Sequence, residues 1–87
     1  MIDAKYNVRR YIAEYSERNE DLLAEHELSS FDLEKFQEDF GETDPKNPMF
    51  DCYPIKESNT NFLKQYVDSE PVWDFEVKSY FIEAHAI

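Results

Sequence analysis

The sequence has 87 residues, 41% hydrophobic and 16% aromatic, enough to bury one modest core and too few for two, so it is read as a single domain over 1–87. Twenty acidic against nine basic residues give a formal charge of −11, which repels phosphate backbones and anionic membrane surfaces and disfavours direct contact with nucleic acid or lipid. The lone Cys52 allows neither an internal disulfide nor a cysteine metal cluster, and no apolar run reaches signal-peptide or membrane-span length; a reducing, cytoplasmic location is expected.

Tyr6 to Tyr15 is rich in Tyr, Val and Ile and reads as a first strand, with Val8, Arg10, Ile12 and Glu14 on one side and Tyr11, Ala13 and Tyr15 on the other. The polar run Ser16 to Asp21 serves as a hairpin loop, longer than the tight Asn-Gly type. Leu22 to Leu28 then alternates, Leu22, Ala24, His26 and Leu28 facing one way and Glu25 and Glu27 the other, as a half-buried second strand does.

Asp32 is predicted to cap a short helix, DLEKFQEDF at 32–40, which Gly41 closes in a position requiring φ > 0. Phe31 and Phe36 have the spacing of a hydrophobic staple. Leu33, Phe36 and Phe40 share one face of that helix, whereas Asp32, Glu34, Glu38 and Asp39 spread over the opposite one. Residues 42–58 hold three of the four prolines and read as an ordered loop whose Met49, Phe50, Tyr53 and Ile55 lie against the core. Tyr53–Pro54 is open to either isomer.

Asn59 is predicted to cap a second helix, TNFLKQYVD at 60–68, with Phe62, Leu63, Tyr66 and Val67 inward and Pro71 beyond its end. Trp73 to Ile87 reads as a final strand with Trp73, Phe75 and Val77 inward, then a change of phase to Tyr80, Ile82 and Ala84 that a bulge near Ser79 would explain. Its apolarity on both faces suits a central strand covered on each side along part of its length. The predicted class is α+β: a three-stranded antiparallel sheet packed with two short helices, in the order β-β-α-α-β.

No catalytic constellation stands out, and no enzyme activity, metal or cofactor is expected. His26 and His85 are the only histidines, neither at metal-ligand spacing on a helix, and on a strand Glu25 and Glu27 point away from His26. An enzyme or metal-dependent sensor would need His26, Cys52 or His85 to converge. Twenty acids make close carboxylate pairs inevitable, so their spacing carries no hydrolase signal, and a single glycine excludes a Gly-rich phosphate loop. The short basic cluster of Arg9 and Arg10 with Lys5 is expected to pair with acids of neighbouring strands.

The acidity is regional. Glu14 to Asp44 contains twelve acids against Arg18 and Lys35, a net −10, which leaves −1 for the rest of the chain. So many like charges in one part of a small fold lower its stability by mutual repulsion, which points to a use for them.

Four segments carry a resemblance: FDLEKF at 31–36, PMFDCYPI at 48–55, FLKQY at 62–66 and YFIE at 80–83. The chain resembles small acidic bacterial immunity proteins of contact-dependent growth inhibition and colicin-type systems, which bind a toxin domain and block its active site. The resemblance implies a cytoplasmic antitoxin whose partner is a cognate toxin, expected to be a basic nuclease domain. Charge placement makes Glu17, Glu20, Asp21, Glu34, Glu38, Asp39, Glu42 and Asp44 the candidate partner-binding residues, centred on the exposed face of helix one. An acidic nucleic-acid mimic that inhibits a DNA- or RNA-binding protein is the alternative. The free edge of strand two is an alternative interface, able to receive a partner strand.

Overall fold

The computed structural model describes residues 1–87 and comprises β1 (Ile2–Asp3), β2 (Val8–Ser16), β3 (Leu22–Glu27), α1 (Leu33–Asp39), β4 (Tyr53–Pro54), α2 (Thr60–Leu63) and β5 (Lys78–Ala86). The two nine-residue strands form the middle of an antiparallel sheet, paired without interruption from Val8 opposite Ala86 to Ser16 opposite Lys78. Strands β1 and β3 share the outer edge of β2, and β4 lies on the outer edge of β5.

The class is α+β as expected, but the sheet has five strands rather than three, and the order is β-β-β-α-β-α-β rather than β-β-α-α-β. The added strands, β1 and β4, have two residues each, too few to show a period-two pattern. Pro54 has no N–H to donate, and an edge strand is where a sheet tolerates that loss. The ladder is continued by Ile55, whose N–H donates to the Tyr80 carbonyl at 2.8 Å. All peptide bonds, Tyr53–Pro54 included, are trans.

Boundaries move for local reasons. The first long strand starts at Val8 rather than Tyr6, because Asn7 takes φ of 53° and breaks the extended run. The last starts at Lys78 rather than Trp73. Residues 73–77 instead fold back as an aromatic cluster, with Trp73 4.8 Å from Tyr80 and 5.7 Å from Phe75 between ring centroids. The Tyr80 hydroxyl fixes this turn by donating to the Val72 carbonyl and accepting from the Asp74 N–H. Pairing with β2 continues through Ser79, so the expected bulge is absent there; the register shift lies between Glu14 and Tyr15, where β2 meets β3. The final strand is central, but only one of its faces is covered by other elements.

Helix α1 follows expectation closely. The Asp32 carboxylate accepts from the Lys35 N–H, the Phe31 and Phe36 rings lie 4.3 Å apart, and Gly41 takes φ of 73°. The Gly41 and Glu42 N–H groups donate back to Glu38 and Gln37, the paired bonds of a Schellman ending. The second helix is shorter than predicted. It is one α turn between 3-10 turns at Glu57–Asn59 and Lys64–Tyr66, and Asn59 does not cap it. The Asn59 amide is buried instead, accepting from the Lys56 N–H and donating to the Asp39 carboxylate at 2.8 Å, which ties the two helical segments together.

The core joins Ile12, Tyr80 and Ile82 of the sheet to Leu28, Phe36, Met49, Ile55, Leu63 and Tyr66, so the helices and the proline loop all cover one face of the sheet. That face also buries charge. Arg10 is fully buried; its guanidinium donates to Asp3 at 3.0 Å and to the carbonyls of Pro48 and Met49 at 2.8 and 3.1 Å, and lies 4.0 Å over the Phe31 ring. Gln37, also buried, donates to the carbonyls of Asp44, Pro45 and Asn47. These two side chains satisfy the loop carbonyls that cannot reach a strand or helix partner, and so order the proline loop.

Candidate functional site

The eight acids singled out from the sequence fall on two regions. Glu17, Glu20 and Asp21 occupy the β2–β3 loop, which Glu20 reverses with φ of 61°. Glu34, Glu38 and Asp39 lie on α1 over the helix-covered side, and Glu42 and Asp44 follow it. The grooves that contain Glu17 and Glu20 share no lining residue with those that contain Glu38 and Asp39. Seven of the eight are exposed. Glu42 is half-buried and accepts from the Tyr53 hydroxyl at 2.7 Å, the Asn47 amide and the Asp44 N–H; the bond from the phenol, then that from the Asp44 N–H, hold its pKa below the usual carboxylate range. Asp39 accepts from the Asn59 amide on the second helical segment, and Asp44 from the nearby Lys46 N–H.

Arg9 pairs with Glu25 and Glu27 on β3, and Arg10 with Asp3 on β1, as expected. Glu14 is buried on the covered face between His26 at 2.9 Å and Lys78 at 3.1 Å. Burial pushes its carboxyl up, but the bonds from His26 and Lys78 outweigh this and leave its pKa lowered. The two histidines are on opposite faces: His26 lies on the covered face with Glu14, and His85 pairs across from Arg9 near the end of β5. No group of three or more His, Cys, Asp or Glu is arranged to hold a metal ion. No helix is long and apolar enough to cross a membrane.

The uncovered face of the sheet went unrecognised in the sequence. There Tyr11, Ala13 and Tyr15 of β2 stand opposite Glu83, Phe81 and Ser79 of β5. The Tyr11 and Tyr15 hydroxyls donate to the two different oxygens of Glu83, at 3.1 and 2.7 Å, and Tyr15 meets Phe81 edge to face at 5.7 Å. Burial and the Glu83 contact push the Tyr11 hydroxyl up to about 12, and the bond to Glu83 pushes Tyr15 up as well. An open groove of about 450 Å³ is lined by Tyr15, Ser79, Phe81 and Glu83 together with Glu17, Glu20 and Cys52, while Tyr11 and Ala13 are buried beside their neighbours in the sheet. Partial burial and the Glu83 charge raise the Cys52 thiol, which lowers its nucleophilicity near neutral pH. The alternation of Tyr11, Ala13 and Tyr15 was visible in the sequence; that no element covers this face was not.

Residues 9–83 match a family model described as a domain of unknown function, DUF7683. The chain belongs to the DUF7683 family. The DUF7683 match runs from Arg9 in β2 to Glu83 in β5, and so contains the whole uncovered cluster and all eight candidate acids. No curated protein and no solved structure matches the chain.

Proposed function

We propose that the chain is a cytoplasmic binding protein of the immunity kind, which neutralises a cognate toxin, a nuclease, by covering the toxin's basic substrate-binding surface. The observation that carries this reading is the asymmetry of charge compensation. The sheet's cations Arg9, Arg10 and Lys78 are bound to carboxylates of the same chain, whereas Glu17, Glu20, Asp21, Glu34 and Glu38 project with no cation of their own chain bound. Such a surplus repels itself within the free protein and is relieved by a basic partner. It also accelerates encounter with that partner, which suits a protein that must intercept a toxin before it reaches nucleic acid.

The test is binding to the protein encoded by the gene immediately upstream, measured across a salt series with two separate charge reversals. One is Glu34, Glu38 and Asp39→Lys, the other Glu17, Glu20 and Asp21→Lys. At least one set is expected to slow association by about tenfold or more at low salt and flatten the salt dependence. Unchanged affinity in both sets overturns the reading. Equal affinity for several unrelated DNA-binding proteins replaces the dedicated toxin partner with an acidic nucleic-acid mimic.

A further inference from the structure

We propose that the uncovered face of the sheet is the seat of an arginine side chain from the basic partner protein, its guanidinium paired with Glu83 and packed beside the edge-to-face pair of Tyr15 and Phe81. This rests on the proposed binding of a basic partner and specifies where that partner is anchored.

The electrostatics of Glu83 motivate the assignment. It is half-buried in the middle of β5, and the groups bonded to its oxygens are neutral: the Tyr11 and Tyr15 hydroxyls, with the Cys52 thiol beside them. The other carboxylates borne by the strands, buried or exposed, each have a cation within 3.1 Å: Asp3 has Arg10, Glu14 has Lys78, and Glu25 and Glu27 share Arg9. Glu83 has none. Two phenols occupy two of the roughly four lone-pair directions of a carboxylate, which leaves both oxygens able to accept the paired N–H groups of a guanidinium. The phenols also fix the carboxylate in one orientation, so little side-chain entropy remains to be lost on binding.

The walls select the kind of cation. Tyr15 and Phe81 present ring surface beside the carboxylate, and a planar guanidinium stacks on such surface better than a compact, strongly hydrated ammonium. The same face already holds one arginine in this manner. The Arg9 guanidinium lies 4.1 Å over the Tyr11 ring and bridges Glu25 and Glu27, so it is held away from Glu83 and leaves that position for an incoming side chain. Glu17 and Glu20, which also line the groove, add attraction for a positively charged segment.

The test uses the full chain and a defined probe, acetyl-Gly-Arg-Gly-amide, with its citrulline and lysine counterparts, followed by amide NMR at low salt. The arginine peptide is expected to give saturable shifts at Tyr15, Phe81 and Glu83, the lysine peptide weaker ones and the neutral citrulline peptide none. Glu83→Gln keeps the shape and an acceptor for the phenols and is expected to weaken binding about tenfold or more, the loss of one charged hydrogen bond. Cys52 is exposed, so Cys52→Lys tests the seat without disturbing the core. The new ammonium beside Glu83 is expected to block the peptide at unchanged melting temperature. Equal shifts in both variants, equal binding of the citrulline peptide, or no saturable shift on this face each overturn the seat. Arginine-peptide shifts confined to the α1 acids overturn the seat while leaving a basic partner in place; only the two charge-reversal sets test that broader reading.

Discussion

Truncating Arg10 to alanine is expected to bring this protein close to unfolding. The guanidinium is fully buried and makes three hydrogen bonds, to Asp3 and to the carbonyls of Pro48 and Met49, so it is the common partner of β1, β2 and the proline loop. Its removal leaves an unpaired carboxylate and two carbonyls beneath Phe31. Breaking a buried ion pair from one side costs about 3–5 kcal/mol. A domain of this length has roughly 4–13 kcal/mol in total at ~0.05–0.15 kcal/mol per residue. With a urea slope of about 1–2 kcal/mol/M, the unfolding midpoint should fall by at least about 1.5 M. Arg10→Met combined with Asp3→Asn removes both charges and keeps most of the packing, and should cost less than Arg10→Ala alone. The assay is urea unfolding followed by circular dichroism. An Arg10→Ala loss below about 1 kcal/mol would show that water replaces the guanidinium at these carbonyls, and would refute its role in pinning the loop.

Three further measurements address the caps and the titrating groups. Gly41→Ala should cost about 1–2 kcal/mol in a thermal melt, because the site has φ of 73° and an added methyl group would meet no neighbouring atom, which leaves backbone strain as the only penalty; a neutral result would remove the left-handed cap from the account of α1. The lowered Glu14 pKa means that the folded state binds this proton more weakly than the unfolded chain. Its contribution is therefore full above the ordinary carboxylate range near pH ~4.3 and is lost as pH falls through the depressed value; Glu14→Gln should flatten acid unfolding there. Tyr11 and Tyr53 are pushed up to about 12, so their contribution is full below about pH 10 and is lost as pH rises towards 12. Glu83→Gln should lower the midpoint of tyrosinate formation at Tyr11 and Tyr15, read by absorbance, and an unmoved titration would refute the Glu83 contact.

Features with strictly local causes were legible in advance. Asp32, Phe31 with Phe36, and Gly41 define α1 because a cap, a staple and a left-handed ending each depend on residues within a few positions of one another. The parity of β2, and of β3 from Ala24 to Glu27, was legible for the same reason, down to Glu25 and Glu27 facing away from His26; Leu22, expected on the face of Ala24 and His26, instead lies exposed opposite Tyr15, because the register shift between Glu14 and Tyr15 breaks the alternation. The run from Trp73 to Val77 misled because alternating aromatics suit a strand and a folded-back cluster alike, and only contact with Tyr80 distinguishes them.

What the sequence by itself determined is therefore the class, the α1 helix, the two faces of each long strand and the surplus of carboxylate. What only the tertiary structure decided is which surfaces remain open. Arg10 and Glu14 share a strand face with Ile12, and their burial follows from partners on β1, the proline loop, β3 and β5 that lie far away along the chain. Glu83 looked like one acid among twenty. It becomes distinctive because pairing of β2 with β5 brings two tyrosine hydroxyls to it and no cation, and because both helices pack on the other side of the sheet. Charge content is additive along a chain, whereas charge compensation depends on long-range pairing, and that pairing separates the acids held within this fold from those left facing a partner.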